Sequence, residues 1–349
     1  MLRVLIADDS AIARDLLEHI LSSDEGIQVV AVASNGREAV ELAVKHRPDI
    51  ITMDIHMPVM NGFEATKEIM IECPTPIVIV SASTAVHEVE WAMQSLQVGA
   101  LTLHLKPSGP GSPTFDRDAR DLIELVKAMA EVRVMRHRRG TLLAKQIPET
   151  IAERPALPTL KAVAIAASTG GPPALHQVLG ELPIDFPLPV LLVQHIAEGF
   201  VEGFAAWLNS SIAVTVKIAE DLEVLRPGTV YVAPQSKHLG ASSSGRVALS
   251  DGPALDGFRP SATHLFESCS RAFGSKVVGV VLTGMGRDGA DGLRTLRARG
   301  GRTVAQDEAT SVVFGMPGVA VAEGVADVVL PIGRIAGHLM TLATRIESS

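Results

Sequence analysis

The chain opens with short aliphatic runs separated by longer stretches in which apolar positions recur at helical spacing. Leu2–Ala7, Ile27–Ala33, Asp49–Asp54, Pro76–Ser81 and Leu101–Leu105 are predicted strands, with Ala11–Ser22 and Arg37–His46 among the helices between them. Nearly continuous aliphatic strands alternating with helices describe a parallel sheet covered on both faces. Five such units predict a (βα)5 layer of flavodoxin-like topology, whose polar groups gather at the carboxyl ends of the strands. After Lys106-Pro107 a loop, SGPGSP, leads into a charged helix expected from about Asp116 to Arg138. The basic run RVMRHRR at 133–139 reads as a solvated helix end whose cations suit the C-terminal dipole.

Residues 140–159 hold three prolines and no strong period, the pattern of a linker. A second α/β unit follows. Lys161–Ala167, Pro189–Gln194, Val214–Ile218 and Lys276–Thr283 read as buried strands, Thr303–Gln306 and Asp327–Leu330 as shorter ones, and Gly228–Asp251 as a β-hairpin insertion. The expected organisation is a first domain at 1–125, its final helix running to about 139, the linker, and a second domain at 160–349. The second domain is expected to be doubly wound and mainly parallel.

Composition narrows the function classes. The 349 residues are 47% hydrophobic and 20% charged, the balance of a globular protein. Nine Phe, two Trp and one Tyr are too few for a single-stranded nucleic-acid binder, which needs stacking platforms. A net charge of −8 gives no global field toward DNA phosphates. Cys73 and Cys269 lack metal-ligand spacing and are a thin disulfide framework for this length. No apolar run reaches the roughly 18 residues of a membrane span, and MLRVLIADDS meets an acidic pair too early for a signal peptide. The expectation is a reduced, cytoplasmic setting with no membrane insertion.

Asp8 and Asp9 end the first predicted strand and Asp54 the third, strands that this topology sets side by side. Three carboxylates in one mouth repel each other unless a hard cation sits there, and few oxygen ligands plus water suit Mg²⁺. Ser81 and Lys106 end two further strands. A carboxylate nucleophile, a divalent ion, a hydroxyl and an ammonium together stabilise in-line phosphoryl transfer. The plainer reading, in which the DDS triplet caps the next helix, serves any one of these residues better than all five. ADDS, MDIHMPVMNGFEAT, VSAS and KP at these spacings closely resemble the response-regulator receiver domain. The resemblance implies that Asp54 accepts a phosphoryl group from a sensor histidine kinase. It also implies that Asp9, Asp54 and the His56 backbone carbonyl hold Mg²⁺ with Asp8 behind them, and that Ser81 and Lys106 contact the phosphoryl oxygens. Receivers usually carry an aromatic side chain three residues before the lysine, where this chain has Leu103.

In the second half, KAVAIAA runs directly into Ser168-Thr169-Gly170-Gly171-Pro172. A serine at a strand-to-helix turn projects its hydroxyl from the sheet edge, and the helix start offers free N–H groups. The loop could cradle a phosphate, though it has neither a nearby lysine nor G-x-G-x-x-G spacing. It could present a nucleophile, though it is not a G-x-S-x-G elbow. Of eleven histidines, His195 lies just past a buried strand at the same sheet edge, ahead of His238 in the hairpin and His264 in a helix. GMGRDGADG after the next strand supplies Asp288 and Asp291, and a carboxylate there completes a Ser-His-Asp constellation. AASTGGPPAL, VQHIAEGFVEGFAAWLN, LTGMGRDGADGL and AQDEATSVVFGMPGVAV are similar to the catalytic domain of the chemotaxis protein-glutamate methylesterases, the CheB family.

That resemblance implies Ser168 as nucleophile, His195 as general base and acid, and Asp288 as its orienting partner. The backbone amides of Thr169 and Met285 become the oxyanion donors, and Asp291 is structural. The DEATSVVFGMP block shapes the substrate cleft. The implied reaction is hydrolysis of glutamate γ-methyl esters, and deamidation of glutamines, on methyl-accepting chemotaxis receptors, with no cofactor beyond the receiver's Mg²⁺. The unphosphorylated receiver is expected to cover the Ser168 cleft and to release it on phosphorylation, in a monomeric protein. A non-catalytic, phosphorylation-dependent adaptor that keeps the esterase fold is the rival reading. A DNA-binding output would need a basic recognition helix that this sequence lacks.

Overall fold

The computed structural model of the protein describes residues 1–82, 86–132, 134 and 160–344. The chain divides into two units, residues 1–143 and 144–349, each with its own hydrophobic core. The linker and all of the basic run except Val134 lie outside the described residues.

The first unit alternates β1 (Leu2–Ala7), α1 (Ala11–Ser22), β2 (Ile27–Ala33), α2 (Gly36–His46), β3 (Ile50–Met53), α3 (Gly62–Glu72), β4 (Ile77–Ser81), α4 (Val86–Gln97), β5 (Thr102–Leu105) and α5 (Phe115–Ala130). The strands form one parallel sheet in the order β2-β1-β3-β4-β5. The chain winds outward from β1 to β2, then crosses back to β3, so a crevice opens at the carboxyl ends of β1 and β3. Asp54 N–H donates to the Ala7 carbonyl at 2.8 Å, which brings the two strand ends together there. Ser10, rather than either aspartate, caps α1, accepting from Ala13 N.

α5 buries Leu122, Val126 and Met129 at helical spacing. It ends at Ala130, not near Arg138 as the charge pattern suggests. Beyond the helix end, Val132 and Val134 both pack against the same core.

The second unit is built from β6 (Ala162–Ala167), α6 (Gly171–Gly180), β7 (Val190–Gln194), α7 (Val201–Ser211), β8 (Thr215–Ile218), β9 (Thr229–Val232), β10 (His238–Ala241), β11 (Val247–Ser250), α8 (Ala262–Phe273), β12 (Val277–Val281), α9 (Ala290–Ala298), β13 (Arg302–Gln306), α10 (Met316–Ala322), β14 (Val328–Leu330) and α11 (Ile332–Thr344). Seven strands form a parallel sheet in the order β14-β13-β12-β6-β7-β9-β8. Ala162, Ala164 and Ala166 of β6 share a core with Leu265, Phe266 and Cys269 of α8. Such small strand side chains let a helix lie close to the sheet.

Within Gly228–Asp251 the expected hairpin is present in β10 and β11, but the segment's first strand belongs elsewhere. β10 and β11 pair antiparallel, His238 opposite Ser250, but β9 is a strand of the main sheet, parallel to both β7 and β8. Tyr231 on β9 is fully buried. Its hydroxyl donates to the Val224 carbonyl at 3.0 Å and accepts from Arg226 N–H at 2.9 Å. Buried polar groups need such partners, so the tyrosine commits β9 to the interior. Tyr231→Phe is expected to destabilise this unit by about 1–3 kcal/mol. The check is a lower urea midpoint, followed by Trp207 fluorescence in a Trp91→Phe background.

Candidate functional site

The receiver-like pocket sits at the crevice between β1 and β3. The carboxylates of Asp8, Asp9 and Asp54 lie within 4.8 Å of one another, Asp8 and Asp54 buried and Asp9 exposed. Three hard oxygen donors with room for water fit a small divalent cation. Lys106 Nζ reaches Asp8 Oδ2 at 2.7 Å and Asp54 Oδ1 at 3.4 Å. Ser81 ends β4 opposite Leu105 of β5, and its carbonyl accepts from Lys106 N–H at 2.8 Å. Arg14 closes the other side, its Nη1 donating to the carbonyls of Asp8 and Asp9 at 2.8 Å each. His56 is exposed in the loop that follows β3, and Leu103 is buried within β5.

Burial pushes the Asp54 carboxyl up to about 6; Lys106 pulls it down, and the neighbouring Asp8 pushes it further up. A carboxyl raised in the fold holds its proton where the unfolded chain has lost it, so stability is full at low pH and falls as pH rises through about 6. Asp54→Asn is therefore expected to stabilise the first unit at pH 8 without Mg²⁺, by up to about 3 kcal/mol at 1.36 kcal/mol per pH unit. The gain should vanish near pH 4, as read from melting temperatures in EDTA at the two pH values.

In the second unit three strand ends meet. Ala167 of β6 pairs with Gln194 of β7, so Ser168 and His195 leave adjacent strands side by side. His195 N–H donates to the Ala167 carbonyl at 2.9 Å, and Ser168 N–H donates to the Thr283 carbonyl, just past β12, at 3.0 Å. His195 Nε2 lies 3.0 Å from Asp288 Oδ2, off the line of an aligned hydrogen bond, and neither ring nitrogen is bonded to Ser168. Catalytic hydrogen bonds are often loose before substrate arrives. Phe258 stacks on the imidazole, with centroids 4.2 Å apart and planes 6° from parallel, which fixes the plane of the ring.

Asp288 is 2% exposed, and what surrounds it explains how it stays ionised. Ser261 Oγ and Thr263 N–H donate to Oδ1 at 2.9 and 3.0 Å, and Ala262 N–H donates to Oδ2 at 2.7 Å. Ser261 is the N-cap of α8, so the carboxylate sits on free N–H groups at the positive end of a helix. Burial works to raise its pKa. His195 and the N–H groups of Thr263 and Ala262 outweigh that and hold it at about 2.

The competing histidines are engaged elsewhere. His238 Nδ1 accepts from Ser261 N–H, leaving Nε2 to donate to the Pro253 carbonyl, and its ring stacks on His264. Burial, then the proximity of His238 and Arg271, lowers His264 to about 4. Asp291 forms surface ion pairs with Arg287 and Arg294. Met285 is half exposed and Thr169 buried; among the described residues the N–H of neither donates to another group.

A family model described as CheB methylesterase matches residues 163–339, and the response regulator receiver domain matches residues 4–112. The chain is 49% identical over 339 residues, 97% of its own length and 96% of the relative's, to protein-glutamate methylesterase/protein-glutamine glutaminase 4 of Myxococcus xanthus. The chain belongs to the CheB methylesterase family. A second member, protein-glutamate methylesterase/protein-glutamine glutaminase 3 of Anaeromyxobacter dehalogenans, is 49% identical over 340 residues, 97% of this chain and 98% of the relative. The Thermotoga maritima CheB methylesterase catalytic domain, a crystal structure, matches with a TM-score of 0.51 and 40% identity, covering 52% of this chain and 98% of that one.

Sequence reasoning missed several residues at this CheB-family site: Ser261, Ala262 and Thr263 under Asp288, Phe258 on His195, and Gln194 beneath the serine loop. Pro260-Ser261 ahead of a helical apolar run is a legible helix start. Nothing local marks it as a carboxylate cradle.

Proposed function

We propose that this chain is a phosphorylation-activated serine esterase. Its substrates are glutamate γ-methyl esters on methyl-accepting chemotaxis receptors, and it deamidates specific glutamines through the same acyl intermediate. The observation that carries the reading is His195 Nε2 at 3.0 Å from a buried Asp288 carboxylate, on the strand end next to Ser168.

Because Nε2 faces Asp288, Nδ1 is the nitrogen that takes the Ser168 proton as Oγ attacks the ester carbonyl. The ionised carboxylate stabilises the imidazolium that forms. The N–H groups of Thr169 and Met285 receive the tetrahedral oxyanion, typically the largest electrostatic contribution in such sites. The C–O bond to the methoxy group breaks, and the proton on His195 leaves with methanol. Water then loses a proton to His195 and attacks the glutamyl ester, returning free glutamate and the Ser168 hydroxyl. With a glutamine substrate the same steps release ammonia.

In the first unit Asp54 attacks the phosphorus of a sensor kinase's phosphohistidine, and the N–P bond breaks. Asp9, Asp54 and the His56 carbonyl would hold Mg²⁺, with Asp8 behind, and the cation supplies positive charge to the phosphoryl oxygens. Lys106 and Ser81 contact those oxygens and register the new group. Phosphorylation releases an inhibition that the receiver exerts on the esterase, which is why one chain carries both. No helix among the described residues is long and apolar enough to cross a membrane.

The test is methanol release from methylated receptor, with and without a small-molecule phosphodonor and Mg²⁺. Wild type is expected to respond to phosphodonor, Asp54→Asn to lose that response, and Ser168→Ala to lose release altogether. Asp288→Asn, which keeps shape but not charge, is expected to lower kcat by about 10⁴-fold, as in other triads. No release by the wild type from a correctly methylated cognate receptor would overturn the esterase reading in favour of a non-catalytic adaptor.

A further inference from the structure

An oxyanion site works only if its N–H groups are aimed before the charge appears. A trans peptide is planar, with its N–H and C=O on opposite sides. Whatever grips the carbonyl of a peptide therefore aims its N–H. The two candidate donors here belong to the Ser168–Thr169 and Gly284–Met285 peptides, and the carbonyl of each is gripped twice.

Ser168 O accepts from Gln194 Nε2 at 2.9 Å and from Gly171 N–H at 2.8 Å. Gln194 is buried at the end of β7 and also donates to His195 O at 2.7 Å. Facing two carbonyls fixes which end of the amide carries the nitrogen. Its Oε1 is buried without a hydrogen bond and lies against Gly171, where a Cβ would come within 2.0 Å of it. A glutamine that leaves an acceptor unpaired in order to place two N–H bonds on these carbonyls is a costly choice for packing alone.

Gly284 O accepts from Gly315 N–H at 3.1 Å and Met316 N–H at 2.8 Å, while Gly284 N–H donates to Val313 O at 3.0 Å. Gly315 has φ −90° and ψ −75°, a conformation open to any residue, so conformational freedom does not explain the glycine. Close approach does. A Cβ there would lie 2.6 Å from Gly284 O, 3.0 Å from Gly286 N and 3.1 Å from Met285 Cα. All three are backbone atoms of the Met285 turn.

We propose that Gln194 and Gly315 are positioning residues of the oxyanion site, setting the Thr169 and Met285 N–H groups through the carbonyls of the same two peptides. Thr283 joins the two grips: its Oγ1 donates to Thr169 O at 2.9 Å and accepts from Val313 N–H at 2.9 Å. The DEATSVVFGMP block then contributes alignment rather than a catalytic group. This inference rests on the esterase reading.

The experiment uses the full chain with phosphodonor and Mg²⁺, and compares Gly315→Ala, Gln194→Met, Thr283→Val and Thr283→Ser with wild type. Methanol release gives kcat and KM; inhibition by phenylboronic acid, whose tetrahedral adduct on Ser168 carries an oxyanion, gives Ki. Losing an oxyanion donor outright costs about 10²–10³-fold in kcat, so misaiming one is expected to cost about 10–100-fold. KM should stay within about twofold of wild type, Ki should weaken in parallel with kcat, and Thr283→Ser should recover what Thr283→Val loses. A variant that merely folds in smaller yield lowers kcat and leaves Ki unchanged. The proposal is overturned if Gly315→Ala and Gln194→Met keep wild-type kcat, or lose kcat with Ki unaltered. An inert wild type overturns the esterase reading itself, a different outcome.

Discussion

Asp288 must be both buried and ionised, and much of the second unit follows from that. A carboxylate without water needs donors, and the start of α8 supplies them through Ser261, Ala262 and Thr263. The helix must therefore begin at the carboxyl end of the sheet and lie close against it. The alanines of β6 allow that approach. With its charge already satisfied by the helix, Asp288 can face His195 without drawing a compensating cation into the site.

Asp54 and Asp288 show how environment divides one residue type between two chemistries. Both are buried at the carboxyl end of a parallel sheet, where burial alone raises a carboxyl. Asp54 faces a second carboxylate and a shared lysine, and ends at about 6. Asp288 faces N–H groups and an imidazole, and ends at about 2. The first is poised to gain from a cation, which relieves repulsion that is already present. The second, its charge already met by donors, has little to gain from a cation.

The fold class was legible because parallel strands buried on both faces read as unbroken aliphatic runs, and β1, β2 and α1 occupy the residues that the pattern assigns to them. Ser168, His195, Asp288 and the receiver carboxylates were legible as candidates because each ends or closely follows a predicted strand, and topology gathers such positions at one edge. β9 was misread because a short β-like run looks alike in a hairpin and in a parallel sheet. The difference lies with β7 and β8, which its own sequence does not mention.

The chain by itself determined which residue types stand at strand ends, since hydrophobic period and turn composition are local properties. Only the tertiary structure decided what each of those residues meets. Ser261 lies 27 residues before Asp288, and Gly315 lies 31 residues after the Gly284 carbonyl that it grips. Hydrogen bonds and close backbone approaches act over about 3 Å, and no pattern in the intervening residues records which distant group will be brought that near.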